Sequence, residues 1–403
     1  MHVLGVEINN WYVVYREASR HLLMKTLCFQ TLCVFAITWG AVLASKDIGD
    51  LKKPEYTYAL RRDNSKYDWI DWLFILLALM VMYEYVTLLI SRNDFAYASG
   101  EERSGTLFYL IRYPFLILLY YQFYRHTHKK WVRRTYILGG FVMLSVFLLG
   151  ARYAIVPILL GLMFIAFVIK NTKIDLTYKQ KILLVIAGLL FLSLMKGWTH
   201  LRNYPLSELN WKLVQEAYST SLLQGLYDTL AEMGKTINTI VSTISAVDAG
   251  NLKNDRTILY ALFVGVVPES VANAFKLTPE IKSLASWVTK IIGVRNGQGY
   301  SIFAEAYFNY HNFGFLFLFL FGYVFVKLEN QAVKLFNSDN SSMTMLGCGI
   351  LYLISYATFL ARADLILMAS YIRFIVYIYA IIVIKRRGIL LLNNKRNYNS
   401  TRR

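Results

Sequence analysis

Charge is scarce in this chain. Asp, Glu, Lys and Arg make up 17% of its 403 residues and hydrophobic types 56%, whereas soluble domains carry about a quarter charged residues. An ordinary soluble fold is excluded. Only six prolines interrupt the chain, so long stretches are free to run as helix. The three cysteines, Cys28, Cys33 and Cys348, lie in apolar runs without metal-ligand spacing and read as small packing residues. No Asp-x-Asp, His-Glu-x-x-His or Cys-x-x-Cys pattern occurs, nor a Walker motif or a Gly-x-Ser-x-Gly elbow. No metal site and no cofactor is therefore expected. A cleavable signal pattern is missing too: residues 1–20 mix polar and aromatic types, and 22–44 is long enough to stay in a bilayer.

What is present is a series of apolar runs of the length that crosses about 30 Å of hydrocarbon as helix. Nine candidate spans result: 22–44, 69–91, 106–124, 135–150, 153–169, 182–198, 301–326, 343–361 and 365–384. The linkers alternate in basicity. Lys46–Lys66 carries six Lys/Arg, Arg125–Arg134 five, Lys170–Lys181 four and the tail from Lys385 seven. The alternate linkers hold one or two, and 201–300 balances nine Lys/Arg against eight Asp/Glu. Cationic short loops stay in the cytoplasm, so the long polar loop is expected outside. The net charge of +18 is then a topology signal, not a nucleic-acid footprint. The expected fold is an all-α polytopic membrane protein in four parts: spans in 1–198, a large, mostly helical extracytoplasmic loop in 199–300, three further spans in 301–386, and a basic cytoplasmic tail in 387–403.

Two spans meet at Gly150-Ala151-Arg152, because one helix over 136–169 would be about 50 Å long. A second hairpin tip is expected at Ala361-Arg362-Ala363-Asp364. Glu84, Arg112, Lys196, Glu305 and Arg373 fall inside apolar spans, where charge is unfavourable by about 2.5–3.5 kcal/mol each and faces a cavity or a partner. All five are expected in the outer half or near the centre, and Glu84 can pair with Arg112. In the long loop, Leu223, Leu226, Tyr227, Leu230, Met233, Ile237, Ile240, Val241 and Ile244 keep helical spacing on one face, with Asp228, Glu232, Lys235 and Thr239 opposite. Thr278-Pro279-Glu280 has the form of a helix start. The glycine-broken stretch 293–300 allows close backbone approach.

His126 and His128 sit in a basic linker, while His200 and His311 come near the expected outer site. Arginine forks bind phosphate and tyrosines contact sugars. Together with carboxylates and histidines they are the groups that a metal-free transferase with a lipid-linked diphosphate donor needs.

The stretch Gly299-Tyr300-Ser301-Ile302-Phe303-Ala304-Glu305-Ala306-Tyr307-Phe308-Asn309-Tyr310-His311-Asn312-Phe313-Gly314, leading into an apolar span, resembles the segment after the large periplasmic loop of Wzy-type O-antigen and capsular polysaccharide repeat-unit polymerases. It carries their Gly-x-Ser-x-x-x-Glu-x-Tyr-x-Asn run. Leu149-Gly150-Ala151-Arg152 resembles their Gly-x-Arg element, and Leu201-Arg202 their loop-entry arginine. The likeness runs from about 140 to 330. It implies a glycosyltransferase of the bacterial cytoplasmic (inner) membrane, acting on the periplasmic side on polyprenyl-diphosphate-linked oligosaccharides, with membrane lipid and a chain-length regulator protein as candidate partners. On that resemblance, Arg152, Arg202, Arg295 and Arg373 are expected to bind diphosphate, Tyr307 to contact sugar, and Glu232, Glu305 or His311 to act as the base. An O-antigen ligase-like transferase and a flippase of lipid-linked glycan are the other readings. Against the flippase stands the lack of an internal repeat.

Overall fold

A computed structural model of the protein describes residues 2–3, 6–7, 19–46, 69–90, 106–125, 129–148, 152–170, 177–180, 182–183, 186, 201, 208, 210–219, 224, 227, 236–252, 255–285, 287, 300–336, 338, 340–361, 363–369, 371–381 and 383–384. Apart from a small hairpin of β1 (His2–Val3) with β2 (Val6–Glu7), regular structure among these residues is helical. The first apolar runs form α1 (Arg20–Lys46), α2 (Trp69–Ile90), α3 (Thr106–Arg125), α4 (Lys129–Leu148) and α5 (Arg152–Phe164), which ends in a π-helical turn over Ile165–Ile169. Shorter helices follow: α6 (Trp211–Tyr218), α7 (Thr236–Asp248), α8 (Thr257–Val264) and α9 (Glu269–Ala274). The chain then builds α10 (Ile302–Tyr310), α11 (Gly314–Phe336), α12 (Ser341–Ala357) and α13 (Ile366–Ile381).

Among the described residues, four stretches are long and apolar enough to cross a membrane: Arg20–Lys46, Trp69–Thr87, Ile302–Phe336 and Ser341–Ala361. Ile155–Ile169 and Ile366–Ile381 are shorter apolar helices. The expected span 182–198 lies almost wholly outside the described residues. The hairpin expected around Gly150 fits the ends on either side of it: α4 stops at Leu148, α5 starts at Arg152, and the two pack together.

Packing follows from where each helix carries small residues. On α1, Thr26, Phe29, Cys33, Ala36, Gly40 and Ala44 are buried at three- and four-residue intervals, one stripe of a helix. This stripe lies on α11. A Cβ on Gly40 would sit 2.1 Å from the Phe319 carbonyl oxygen, and one on Gly322 2.2 Å from that of Ile37. The two backbones touch through reciprocal glycines, the close approach that small residues permit in membrane helices. Elsewhere Tyr120 of α3 donates to the Pro157 carbonyl at 2.8 Å, in a notch left open by Gly161, where a Cβ would be 2.0 Å from the Tyr120 oxygen.

The expected span 301–326 falls within the apolar stretch Ile302–Phe336, inside which His311 takes φ 50° and a 3₁₀ turn over His311–Phe313 separates α10 from α11. One local expectation is corrected. Thr278-Pro279-Glu280 does not start a helix. The Thr278 hydroxyl donates to Asn273 Oδ1, and the Glu280 N–H is taken by Asp255 Oδ2 at 2.9 Å. The amphipathic face of the loop helix does form over Ile240, Val241, Ile244 and Val247, all buried. Its upstream half, with Asp228, Glu232 and Lys235, lies outside the described residues.

Chain direction and contacts sort the helix ends into two sets. At one end Asp71 accepts from Gln122 (2.7 Å), Tyr124 donates to the Phe336 carbonyl (2.7 Å), and Lys170 donates to the Phe123 carbonyl. At the other end lie the start of α1, α10, the 3₁₀ turn after α12 and, packed on α10, the loop helices α7 and α8.

Candidate active site

Several elements bring chemistry to that second end. Ser301 opens α10 by accepting from the Phe303 N–H at 3.3 Å; helical spacing then sets Glu305 and Asn309 on one face and Tyr307 on another, with His311 just past the helix end. Tyr307 turns toward α1 and α7. Its hydroxyl donates to Asp248 Oδ1 at 2.7 Å, and Lys25 Nζ donates to Asp248 Oδ2 at 2.6 Å. The Lys25 ammonium also lies 5.3 Å from the Tyr307 ring centroid, and the Phe29 ring meets the Tyr307 ring edge-on at 5.0 Å. Tyr307 is only 1% exposed, while the Lys25 and Asp248 side chains keep 30% and 37% of their surface in the open. Burial alone would raise the Asp248 carboxyl. The hydrogen bonds from Lys25 and Tyr307 outweigh it and hold the group below its ordinary range.

His311 completes this constellation. Its ring is exposed, 5.9 Å from the Tyr307 ring at 70°. A positive φ in a residue with a Cβ is strained by about 1–3 kcal/mol and concentrates at functional positions. Gly314 makes the break possible: a Cβ there would lie 2.6 Å from the Ala306 carbonyl.

Glu305 faces the other way and is buried, at 1% exposure. Its Oε1 accepts from the Thr257 hydroxyl at 3.1 Å and its Oε2 from the Leu365 N–H at 2.7 Å. Asn309 reinforces the same joint. It donates to Thr257 Oγ1 and to the Glu305 carbonyl, both at 2.8 Å, and accepts from the Ile258 N–H at 3.2 Å. Asp364, also 1% exposed, accepts from the Ser283 hydroxyl at 2.8 Å and the Ala285 N–H at 3.3 Å through Oδ2, while Oδ1 has no hydrogen-bond partner among the described residues. Burial pushes the Asp364 carboxyl up, against those donors. The two carboxyls thus tie α8, α10, residues 283–285 and the tip before α13 into one joint.

Arg373 of α13 reaches the same end and donates through its guanidinium to the Val264 carbonyl, the last of α8. Beside it Tyr260 and Lys282 both donate to Glu269 Oε1, at 3.0 and 2.7 Å. Lys282 first, then Tyr260, holds the Glu269 carboxyl down, against its burial. Burial and the facing carboxylate push the Tyr260 phenol up to about 12. Arg112 is buried on α3. Glu84, Arg112, Glu305 and Arg373 therefore do gather toward one end, in separate nests. Lys196 lies outside the described residues.

Of the residues expected to bind diphosphate, Arg202 and Arg295 lie outside the described residues, as does the base candidate Glu232. Arg152 is the first residue of α5. Tyr307 and His311 come together; Glu305 belongs to the neighbouring joint. Lys25, Asp248 and Asp364 were not anticipated. Among the described residues no three His, Cys, Asp or Glu side chains converge as metal ligands.

A helical bundle with several membrane-length apolar helices and a partly open cation–carboxylate–phenol–imidazole cluster at one end defines a multi-pass membrane protein with a polar site at the helix ends. Residues 3–389 match the family described as O-antigen polysaccharide polymerase Wzy, and the chain belongs to that family. The family supports a glycosyltransferase-type polymerase acting on lipid-linked oligosaccharide repeat units in the membrane. Neither a curated protein nor a solved structure matches the chain.

Proposed function

We propose that the protein joins polyprenyl-diphosphate-linked oligosaccharide repeat units on the periplasmic face of the bacterial inner membrane, handing the growing chain to a new lipid-linked unit without a metal ion. The observation that carries this reading is the exposed His311 beside the Tyr307–Asp248–Lys25 cluster, on the segment that bears the family-like motif. A hydroxyl oxygen of the acceptor's non-reducing-end sugar attacks the anomeric carbon of the donor chain. The bond from that carbon to the diphosphate oxygen breaks, and the diphosphate leaves on its lipid. His311 takes the hydroxyl proton, and Tyr307 and Asp248 fix the face on which the sugar sits. Arg152, Arg202, Arg295 and Arg373 meet the charge that develops on the diphosphate, where the planar guanidinium fork suits phosphate oxygens. Glu305 keeps the joint behind α10 closed and acts by position, because both its oxygens already accept from protein donors.

The test uses purified protein with lipid-linked repeat units, with and without a chelator. His311→Gln should insert normally and lower chain extension by the ~10²–10⁴-fold typical of losing a general base. Wild-type extension should persist in chelator. Full-length polymer from His311→Gln rejects the base assignment, and loss of wild-type activity in chelator rejects the metal-free route.

A further inference from the structure

At the end of the bundle opposite the candidate site, α3, α4 and α5 enclose a groove that the polymerase reading does not use. Its volume is about 350 Å³, and its wall is almost wholly apolar, with Leu119, Phe123, Gly140, Met143, Met163 and Phe167 among the lining residues. It opens sideways, since Met163 and Phe167 remain about half exposed, at 52% and 41%. Two local features keep it open. A Cβ on Gly140 would meet nothing within 4 Å. On the facing wall the π-helical turn Ile165–Ile169 carries Phe167, and such turns are rare and frequently mark functional sites.

The groove ends at cations. Lys170 follows the π-helical turn directly, with its ammonium 4.5 Å from the ring centroid of Phe123 on the groove wall. Arg133 and Arg134 are exposed on α4, just before the lining residues Thr135 and Tyr136. Asp71 faces Arg125 at 4.0 Å on the same side of the bundle, buried and bonded to Gln122. In a bilayer an acyl chain gains little by leaving other lipid tails for an apolar wall. Selectivity must come from the headgroup, and basic clefts between membrane helices take anionic ones.

We propose that this groove is a site for an anionic phospholipid, with one acyl chain lying against Gly140 and the phosphate held by Lys170, Arg133 and Arg134. The apolar volume corresponds to on the order of ten groups of methylene or water size, a large part of one acyl chain. The ligand is a structural lipid and takes no part in glycan transfer, so the proposal does not depend on the reading of the opposite end.

Full-length protein, stripped of lipid in detergent, is titrated with phosphatidylglycerol, phosphatidylcholine or undecaprenyl phosphate, and bound lipid is counted by native mass spectrometry. Wild type should hold one phosphatidylglycerol, preferred over phosphatidylcholine by about tenfold at low salt and less so at high salt. Gly140→Phe places a large side chain in the open space beside Gly140 and should lose that lipid. Gly140→Ala should keep it, and it preserves the test's control if the larger variant fails to fold. Arg133→Gln with Arg134→Gln should erase the preference for the anionic headgroup. Equal retention of the two phospholipids by wild type, retention of undecaprenyl phosphate alone, or undiminished binding by Gly140→Phe overturns the proposal.

Discussion

At the scale of single residues, Asp248 is where several forces meet. It accepts from Lys25 on one oxygen and from Tyr307 on the other, and these bonds hold its carboxyl below the ordinary value of 3.8. A carboxyl depressed in the folded state adds stability at pH above its unfolded value, and that contribution is lost as pH falls through the lower folded value. Both partners are about one-third exposed, so solvent screening keeps the effect below about 1 kcal/mol. Asp248→Asn should therefore melt slightly below wild type near neutral pH, and the gap should close as pH drops below 3.8. Thermal unfolding of the two proteins in detergent across that range checks it. A gap that ignores pH would mean that the Lys25–Asp248 pair contributes nothing through its charge.

At the scale of elements, the crossing of α1 and α11 is set by two glycines rather than by interlocking large side chains. A methyl group on Gly40 would have to enter the van der Waals shell of the Phe319 carbonyl oxygen, 2.1 Å away, and neither backbone can move without displacing its helix. Gly40→Ala and Gly322→Ala should each lower thermal stability by at least the ~1–3 kcal/mol typical of overpacking. Gly140→Ala, with open space at its Cβ, should lie within about 0.5 kcal/mol of wild type. Melting temperatures of the three variants test the contrast, and a neutral Gly40→Ala would refute the backbone contact. The helices themselves were legible because apolar runs of bilayer length are bounded by charged linkers; α1, α2, α3 and α12 sit within a few residues of the runs that mark them. The break at His311 was not, because no proline marks it and the apolar run resumes at once after Gly314. The cluster around Tyr307 was half legible. Tyr307 and His311 stand in a recognisable motif, whereas Lys25 and Asp248 are 223 residues apart and meet only through tertiary packing. Asp364 reaches the Glu305 joint in the same way, 81 residues from Ser283.

At the scale of the whole molecule, the question is which face of the bilayer each end of the bundle meets. Contacts tie Lys25, Asp248, Tyr307, Glu305 and Arg373 to one end and Gln122, Lys170 and Phe336 to the other. The second end is the one served by the cationic linkers, five Lys/Arg in Arg125–Arg134 and four in Lys170–Lys181. The stretch 201–300 by comparison balances nine Lys/Arg against eight Asp/Glu. Short cationic linkers resist translocation, whereas a long segment crosses largely regardless of its charge. On both effects the Tyr307 end is expected outside, as the proposed function requires. Lys276, exposed just after α9, and Arg133, exposed near the start of α4, report on the two faces. In a background without Cys28, Cys33 and Cys348, a membrane-impermeant maleimide added to intact spheroplasts should label Lys276→Cys. Arg133→Cys should react only after permeabilisation. The reverse pattern would turn the bundle over and move the Tyr307 site to the cytoplasmic face. Extracytoplasmic chain extension at that site would then be untenable, even with every contact within the bundle unchanged.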